Sequence, residues 1–235
     1  MVTNQEFKNN LMNPVEKSVK QARVHLNYFS GGWPKGYIYD QNDPSRIIVD
    51  KSLCTGCVAG TTYQAMTGHV GVYDTIFYEA AKKELDNHPE EDGGGIRFTL
   101  QAAINYHRRV YCAGDPDIGS YHRLVNISQV ISWIMTQGPV PMGLHLRDGF
   151  INPRPKKWWH LFGSRWATYD GTFARSKHAM TLTGVSVPGR YFRVQNSWGP
   201  TWGTKGTARL SFDDFERIRA DRAVFYGLCL DRNDI

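Results

Sequence analysis

The segment Asn196-Ser-Trp-Gly-Pro-Thr-Trp-Gly-Thr-Lys-Gly206 is the most informative stretch of this chain. It combines two tryptophans with three glycines at fixed separations, a pattern that is long and rarely arises by chance. Glycine permits turns that a Cβ would obstruct, so the pattern predicts a loop with a defined path. A second segment, His178-Ala-Met-Thr-Leu-Thr-Gly-Val185, precedes it and contains a short β-type run that follows a histidine.

These two segments resemble the His and Asn blocks of the papain family of cysteine peptidases. The resemblance implies a triad in which Cys57 is the nucleophile, His178 is the base, and Asn196 fixes the tautomer and orientation of the imidazole. It also implies that Trp198 covers the imidazole–amide hydrogen bond from water, where a polar pair is stronger. The separations of 178 − 57 = 121 and 196 − 57 = 139 residues lie near the roughly 130–150 expected for this class.

A less complete match surrounds the nucleophile, in Asp50-Lys-Ser-Leu-Cys-Thr-Gly-Cys-Val-Ala59. Four positions agree with the family's Asp-Gln-Gly-x-Cys-Gly-Ser-Cys-Trp-Ala. A thiol attacks as thiolate, which a helix that begins at Cys57 and an adjacent imidazolium both favour. Lys51 stands where the family has its oxyanion-hole glutamine, and a nearby glutamine or the backbone N–H of Cys57 are the other candidate donors. Loss of one oxyanion donor costs roughly 10²–10³ in rate. Lys51 in place of glutamine, and Val58 in place of the family's aromatic residue, therefore bear on whether the site is catalytic.

Further stretches bear on what the site would bind. Gly93 and Gly94 look like the family's glycine turn, whose bare backbone pairs with an extended peptide substrate. Lys177 and Trp198 are expected to flank the same site in the family arrangement. The loop 153–166 is basic and aromatic, which predicts either a surface for a protein partner or an insertion whose tryptophans pack on the β-rich part.

The hydrophobic pattern indicates an α+β protein, with a helical first half and a β-rich second half. The resemblance implies a papain-like fold of two lobes, one helical and one an antiparallel β-barrel-like lobe, with the active site in the cleft between them. Helices are expected at 57–68, 71–86 and 96–110, and another that is capped by Ser128 and ended by Gly138-Pro139. The expected organisation is an N-terminal extension (1–46), a helical lobe with the nucleophile (47–130) and a β-rich lobe with His and Asn (131–235).

Composition excludes several other classes of function. The 235-residue chain has no apolar run long enough to span a bilayer, and its net charge of +6 comes without a nucleic-acid-binding signature. We therefore expect a peptide or protein substrate, with no nucleic-acid partner and no membrane span. The polar start of the chain shows no signal core, which leaves the cytosol, a non-classical export route or earlier removal of an export segment as alternatives.

The four cysteines, Cys54, Cys57, Cys112 and Cys229, give no zinc-ligand set, so neither a metal nor another cofactor is expected. Cys54 and Cys57 also have the spacing of a redox pair, although no thioredoxin-like βαβ pattern surrounds them. The resemblance implies that the family's disulfide partner of Cys54 would fall near Glu91. Cys54 is then a free thiol or pairs with Cys112 or Cys229.

The predicted function is hydrolysis of peptide or protein amide bonds through an acyl-thioester. Two alternatives stay open: transfer of the same acyl group to an amine, and a catalytically silent papain-like binding module. The extension 1–46 is much shorter than the family's inhibitory propeptide. We expect it to pack on the outside or to cross the cleft as a minimal blocker.

Overall fold

The structure is a computed structural model. It describes residues 39, 53–69, 71–88, 95–113, 119–155 and 164–230. The predictions made for Lys51, for Gly93 and Gly94, and for nearly all of the extension 1–46 lie outside the described residues, as does the middle of the basic aromatic loop, 156–163.

Three helices occupy the first part of the described chain: α1 Cys54–Thr67, α2 Asp74–Asn87 and α3 Ile96–Tyr111. Helix α1 is buried on almost every side, as expected of a helix inside a core. It ends at Gly68, which adopts the left-handed conformation with φ of 73° and donates its N–H to the carbonyl of Gln64. All three helices lie near their predicted positions, but α1 begins three residues earlier than expected.

A fourth helix, α4, spans Ile127–Thr136, and its cap differs from the prediction. The side chain of Asn126 accepts the N–H of Gln129 at 2.9 Å, so Asn126 is the N-cap and Ser128 lies within the first turn. Both residue types cap helices well, and the extended backbone at 126 decides between them. The predicted lobe boundary between residues 130 and 131 falls inside this helix.

The rest of the described chain is mainly strands. They are β1 Ser120–Leu124, β2 Val140–Arg147, β3 Arg154–Pro155, β4 Arg165–Ala167, β5 Phe173–Ser186, β6 Tyr191–Gln195, β7 Thr207–Ser211 and β8 Val224–Cys229, with two helices between them, α5 Asp148–Ile151 and α6 Phe212–Ala220. They form one eight-stranded sheet in the order β1-β8-β2-β5-β6-β7-β4-β3. Neighbouring strands are antiparallel, except that β4 and β7 are parallel.

The α+β class is confirmed, but the sheet is open and the prediction of a barrel-like lobe overstates its closure. Strands β1 and β3 stand at the two ends of the strand order. Within the described strands, each of them pairs with one neighbour, β8 and β4 respectively, whereas closure would require the end strands to pair with each other. Strand β1 also lies within the segment 47–130 that was assigned to the helical lobe, so part of that segment belongs to the sheet.

Strand β5 is the element that joins the helices to the sheet. It pairs with β2 on one side and β6 on the other, and it is covered on both faces near its middle. On one face Ala179 belongs to a buried apolar cluster with Val58 and Ala59 of α1. On the other face Met180 and Leu182 belong to the main core of the sheet. A side chain at this part of β5 is therefore withdrawn from water.

Candidate active site

Cys57 lies in the first turn of α1, where its backbone and side chain are both enclosed. Its N–H donates to the carbonyl of Leu53 at 3.0 Å, and its side chain is 2% exposed. The residue belongs to a small buried cluster with Tyr39, Leu53 and Tyr78. The sulfur is thus close to the N-terminal end of a helix, as predicted, whereas the N–H that was a candidate oxyanion donor is engaged within the helix.

His178 and Asn196 are brought together by the pairing of β5 with β6. Thr181 lies opposite Gln195 in that pair, so the residue after β6 reaches the histidine on β5. The ring nitrogen Nε2 of His178 donates to Oδ1 of Asn196 at 2.8 Å. Because a neutral imidazole carries one proton, this bond leaves Nδ1 as the nitrogen that can accept another.

Burial sets the charge of the imidazole. His178 is 5% exposed. Desolvation lowers the pKa of His178 from 6.5 to about 4, and the hydrogen bond to Asn196 opposes this shift without overcoming it. The ring is therefore neutral at neutral pH, the state in which it can act as a base.

Trp198 covers the imidazole. Its indole stacks on the ring of His178 with centroids 4.7 Å apart and an interplanar angle of 27°. Trp202 meets Trp198 edge-on at 6.5 Å and donates its indole N–H to the carbonyl of Phe150 at 3.0 Å. The two tryptophans of the motif thus have different partners: one lies on the histidine and the other anchors the loop to α5.

The glycines between and after these tryptophans set the path of the loop. Gly203 has φ of 59°, and a Cβ at this position would collide with the carbonyl of Thr207. Gly206 has φ of 78°, and its carbonyl accepts the N–H of Asn196 at 3.1 Å. The backbone of Asn196 is therefore held by the same glycine turn that the sequence pattern predicts.

Two observations relate the start of α1 to β5 and to the tryptophan loop. Val58, which follows Cys57, shares a buried cluster with Ala179, which follows His178. In addition, Tyr39 packs in the cluster of Cys57, and its carbonyl accepts the N–H of Gly199 at 3.1 Å. The first turn of α1 therefore lies beside β5 and beside the tryptophan loop.

Asp74 and Tyr39 are among the residues near Cys57 that the sequence analysis missed. The thiol of Cys57 donates to Oδ2 of Asp74 at 3.6 Å, and Asp74 is fully buried. Asp74 is the first residue of α2, where an aspartate interacts favourably with the helix dipole. This common placement gave no indication that the side chain also contacts the thiol. Tyr39 lies outside every motif of the sequence analysis, and only the fold brings it to Cys57.

Lys177 is the other predicted site residue within the described part of the chain. Neighbours on a strand point to opposite faces, so Lys177 shares the face of Ala179 while His178 points to the other. Its side chain is exposed, whereas His178 is buried. Its predicted place beside bound substrate stays a prediction.

The remaining cysteines are thiols. Cys54 and Cys229 are buried, Cys112 is half-buried, and none of them is in a disulfide. Within the described residues, no group of three or more His, Cys, Asp or Glu side chains has an arrangement that could hold a metal ion. A search of the same residues found no helix both long and apolar enough to cross a membrane.

Comparison with known sequences gives one informative relative. No family model matches the chain. A protein from Theileria parva called "Cysteine proteinase" is 25% identical over 187 residues, which cover 69% of this chain and 40% of that protein. The chain thus spans about two fifths of the length of this curated relative.

Solved structures share the fold over most of the chain. Xylellain, a cysteine protease from Xylella fastidiosa, matches with a TM-score of 0.56 and 16% identity, covering 85% of this chain and 84% of that one. The bromelain protease from Ananas comosus, solved with the E64 inhibitor, matches with a TM-score of 0.55 and 18% identity over 86% and 95% of the two chains. Digestive procathepsin L 3 of Tenebrio molitor larvae gives a TM-score of 0.54 at 13% identity, covering 84% and 67%. The chain therefore has the fold of these proteases.

Proposed function

Because the chain has the papain-like fold, we propose that it is a cysteine peptidase that hydrolyses amide bonds of peptides or proteins. The observation that carries the proposal is the hydrogen bond of 2.8 Å from His178 to Asn196, covered by Trp198. A buried imidazole that is oriented through Nε2 offers Nδ1 to a thiol. The thiol in question is Cys57, whose helix packs beside the histidine strand.

The proposed reaction follows from these roles. Nδ1 of His178 takes the proton of Cys57, and the sulfur attacks the carbonyl carbon of the substrate. The imidazolium then gives its proton to the leaving amine, so the C–N bond breaks and a thioester remains. Water, deprotonated by the same imidazole, hydrolyses the thioester and restores the thiol. Asn196 keeps the ring in one tautomer throughout, and Trp198 limits the access of water to their hydrogen bond.

We propose that Lys51 stabilises the oxyanion, because the N–H of Cys57 already donates to the carbonyl of Leu53. An ammonium group can donate hydrogen bonds and also neutralises developing negative charge. Gly93 and Gly94 are proposed to pair with an extended substrate, and Lys177 and Trp198 to border it.

One observation favours a second candidate, a papain-like module that binds peptides without hydrolysing them. The sulfur of Cys57 is nearly inaccessible and donates to a carboxylate. A nucleophile held in this way is not ready to attack. The two candidates differ in whether the thiol reacts with a substrate-like electrophile.

Active-site titration with an epoxide peptide probe separates the candidates. We expect a single adduct at Cys57, identified by mass spectrometry of the digested protein, and loss of both labelling and peptide turnover in Cys57→Ala. Cys112→Ala is the matched control, because Cys112 is a half-buried thiol away from the motif. Labelling of Cys112 in place of Cys57, or turnover that survives Cys57→Ala, would refute the peptidase proposal. A folded protein that takes up no probe would support the binding module.

A further inference from the structure

A groove between α2 and α3 contains none of the proposed catalytic residues. Its volume is about 520 Å³, and the apolar part of its lining includes Phe77 of α2 and Ala102 and Tyr106 of α3. Two amides of α3 also line it, and the side chain of Gln101 donates to that of Asn105 at 3.0 Å. These amides therefore have each other as partners, and the apolar lining is the part of the groove that a ligand would cover.

Exposed apolar side chains collect at one end of this groove. Within the described residues, six large hydrophobic side chains are exposed. Four of the six belong to the start of α2 and the end of α3, namely Val72, Ile76, Val110 and Tyr111. The rings of Tyr73 and Tyr106 have centroids 5.8 Å apart, so these two helix ends lie side by side. Apolar surface gathered in one place is typical of an interaction site.

The N-terminal part of the chain joins the described structure near the same end of the groove. The hydroxyl of Tyr39 accepts the N–H of Tyr73, the residue before α2, at 3.4 Å. Residues 1–38 therefore start from a point one tyrosine side chain away from the start of α2. The twelve residues 27–38 can span at most about 40 Å, so a segment that ends at Leu26 can reach the groove. A segment tethered in this way has an effective concentration on the order of mM, which favours it over an unlinked partner.

The sequence that ends at Leu26 has the pattern of an amphipathic helix. Asn13-Pro14-Val15-Glu16 places asparagine at the N-cap, proline at the first helical position and glutamate at the third, which predicts the start of a helix. The apolar residues that follow recur at intervals of four, three and four, which places them on one face: Val15, Val19, Ala22 and Leu26. A helix with one apolar face needs a surface on which to bury it.

We propose that residues 14–26 form a helix that docks its apolar face in the groove between α2 and α3. A helix of this length is about 20 Å long, and the side of α2 that lines the groove, from Ile76 to Glu84, is about 12 Å long. The segment is therefore long enough to cover the groove and the exposed apolar residues at its end. Docking removes Ile76 from water and leaves the polar faces of the new helix in solvent. The occupant is this chain's own segment, and its role is independent of the proposed catalytic residues.

Photo-cross-linking of the full chain tests where the segment lies. Glu84→p-benzoylphenylalanine puts a photoreactive group at an exposed position of the groove lining. We expect irradiation to join position 84 to residues 14–26 of the same chain, as identified by mass spectrometry of the digested protein. Val125→p-benzoylphenylalanine is the matched control, because Val125 is exposed and does not line the groove, and it should give no such product. A product that joins two chains, or the absence of any product with residues 14–26, would overturn the proposal.

Limited proteolysis tests whether the apolar contact holds the segment. Lys17 and Lys20 are trypsin sites within it, and a docked helix resists cleavage. Ile76→Asp changes an exposed residue, so the fold should survive, while the new charge opposes the apolar face of the segment. We expect cleavage at the two lysines to become roughly tenfold faster in Ile76→Asp and in Val19→Asp. Val24→Asp is the matched control, because it makes the same substitution on the opposite face of the predicted helix, and its cleavage rate should change less than twofold. Equal rates in Val19→Asp and Val24→Asp would refute the docked face.

These readouts are independent of the proposed function, because neither of them requires turnover. The expected cross-link in a protein that takes up no epoxide probe and cleaves no peptide would support the docked helix and refute the peptidase. Turnover in a protein without the cross-link would give the reverse. If the segment crossed the cleft as a blocker instead, Val19→Asp would increase turnover and Ile76→Asp would not, and the docked helix would be refuted.

Discussion

The imidazole and the thiol of the proposed site are held in different ways. His178 is fixed by neighbours in the sheet and by a loop that starts one residue after β6, with Asn196 at 2.8 Å and Trp198 stacked on the ring. Cys57 is enclosed by residues of other elements, namely Tyr39 and, at the start of α2, Asp74. The histidine half is therefore assembled by the pairing of two neighbouring strands, and the cysteine half by the packing of elements that no strand pairing connects.

The largest effect is expected from the histidine half. His178→Gln keeps a side-chain N–H that can donate to Asn196 but removes the base, so kcat for a peptide substrate should fall by roughly 10²–10⁴. His145→Gln is the matched control, because His145 is a half-buried histidine on β2 that rests against Phe173. Steady-state kinetics at pH 7 measures both variants. A kcat for His178→Gln within threefold of the unchanged enzyme would remove His178 from the mechanism.

The same histidine should make stability depend on pH. Its pKa is lowered from 6.5 in the unfolded chain to about 4 in the folded protein, so between these values the unfolded chain binds more protons. Stability is therefore present above pH 6.5 and is lost as the pH falls towards 4, by at most about 3 kcal/mol for this one group. Urea unfolding at pH 7 and pH 4.5 measures the change.

His178→Gln isolates this contribution. The pKa of His122 is also lowered by burial, so the unchanged protein contains more than one such term. The loss of stability between pH 7 and pH 4.5 should be smaller in the variant than in the unchanged protein, and the difference belongs to His178. Equal losses in both proteins would mean that the imidazole titrates as it does in water.

The contact between His178 and Asn196 agrees with the sequence motif, because one continuous loop motif follows the strand that pairs with the histidine strand. The glycine and tryptophan spacing in 196–206 specifies a loop with positive φ at Gly203 and Gly206, and that loop places Asn196. The fold class and the helix positions were also predicted, since hydrophobic periodicity reports which face of an element is buried. The resemblance to the papain-like family, which the shared fold supports, rests on the same residues.

The cysteine half could not be predicted in the same way. Helix α1 starts at Cys54 because the N–H of Cys57 donates to the carbonyl of Leu53. The same N–H was expected to stabilise the oxyanion. The contact between Cys57 and Asp74 joins two helices, and neither helix carries a sequence motif that indicates it. The open sheet was missed for a related reason: strand order is set by long-range pairing, which local patterns do not report.

Gly56 offers a test of the cysteine half through stability. A Cβ at this position would meet the Asp74 carbonyl and the Cβ of Tyr78, so Gly56→Ala should lower the free energy of unfolding by about 1–3 kcal/mol despite the better helix propensity of alanine. Gly68→Ala is the control, because a Cβ there meets nothing within 4 Å and the cost is limited to the strain of a positive φ, about 1 kcal/mol. Urea unfolding measures both variants.

The outcome for Gly56 bears directly on Asp74. If Gly56→Ala separates α1 from α2, the hydrogen bond from the thiol of Cys57 to Oδ2 of Asp74 lengthens, the buried sulfur becomes more accessible, and its alkylation by iodoacetamide becomes faster. A variant as stable as the unchanged protein, with the same alkylation profile, would mean that the two helices can shift apart at little cost and that their packing does not control the thiol.

The smallest expected effects on stability and kcat come from the two tryptophans of the histidine half. Trp202→Phe removes the N–H that donates to the Phe150 carbonyl, so stability should fall by about 1–2 kcal/mol. The value of kcat should change little, because the ring that stacks on His178 is that of Trp198. Trp198→Phe should do the opposite: it keeps an aromatic ring but covers the His178–Asn196 bond less completely, so kcat should fall several-fold with a smaller change in stability. Unfolding and kinetics measured on both variants give two independent readouts. Equal effects of the two substitutions on kcat would show that the loop acts as one rigid unit, and the distinction between an anchoring and a shielding tryptophan would then be wrong.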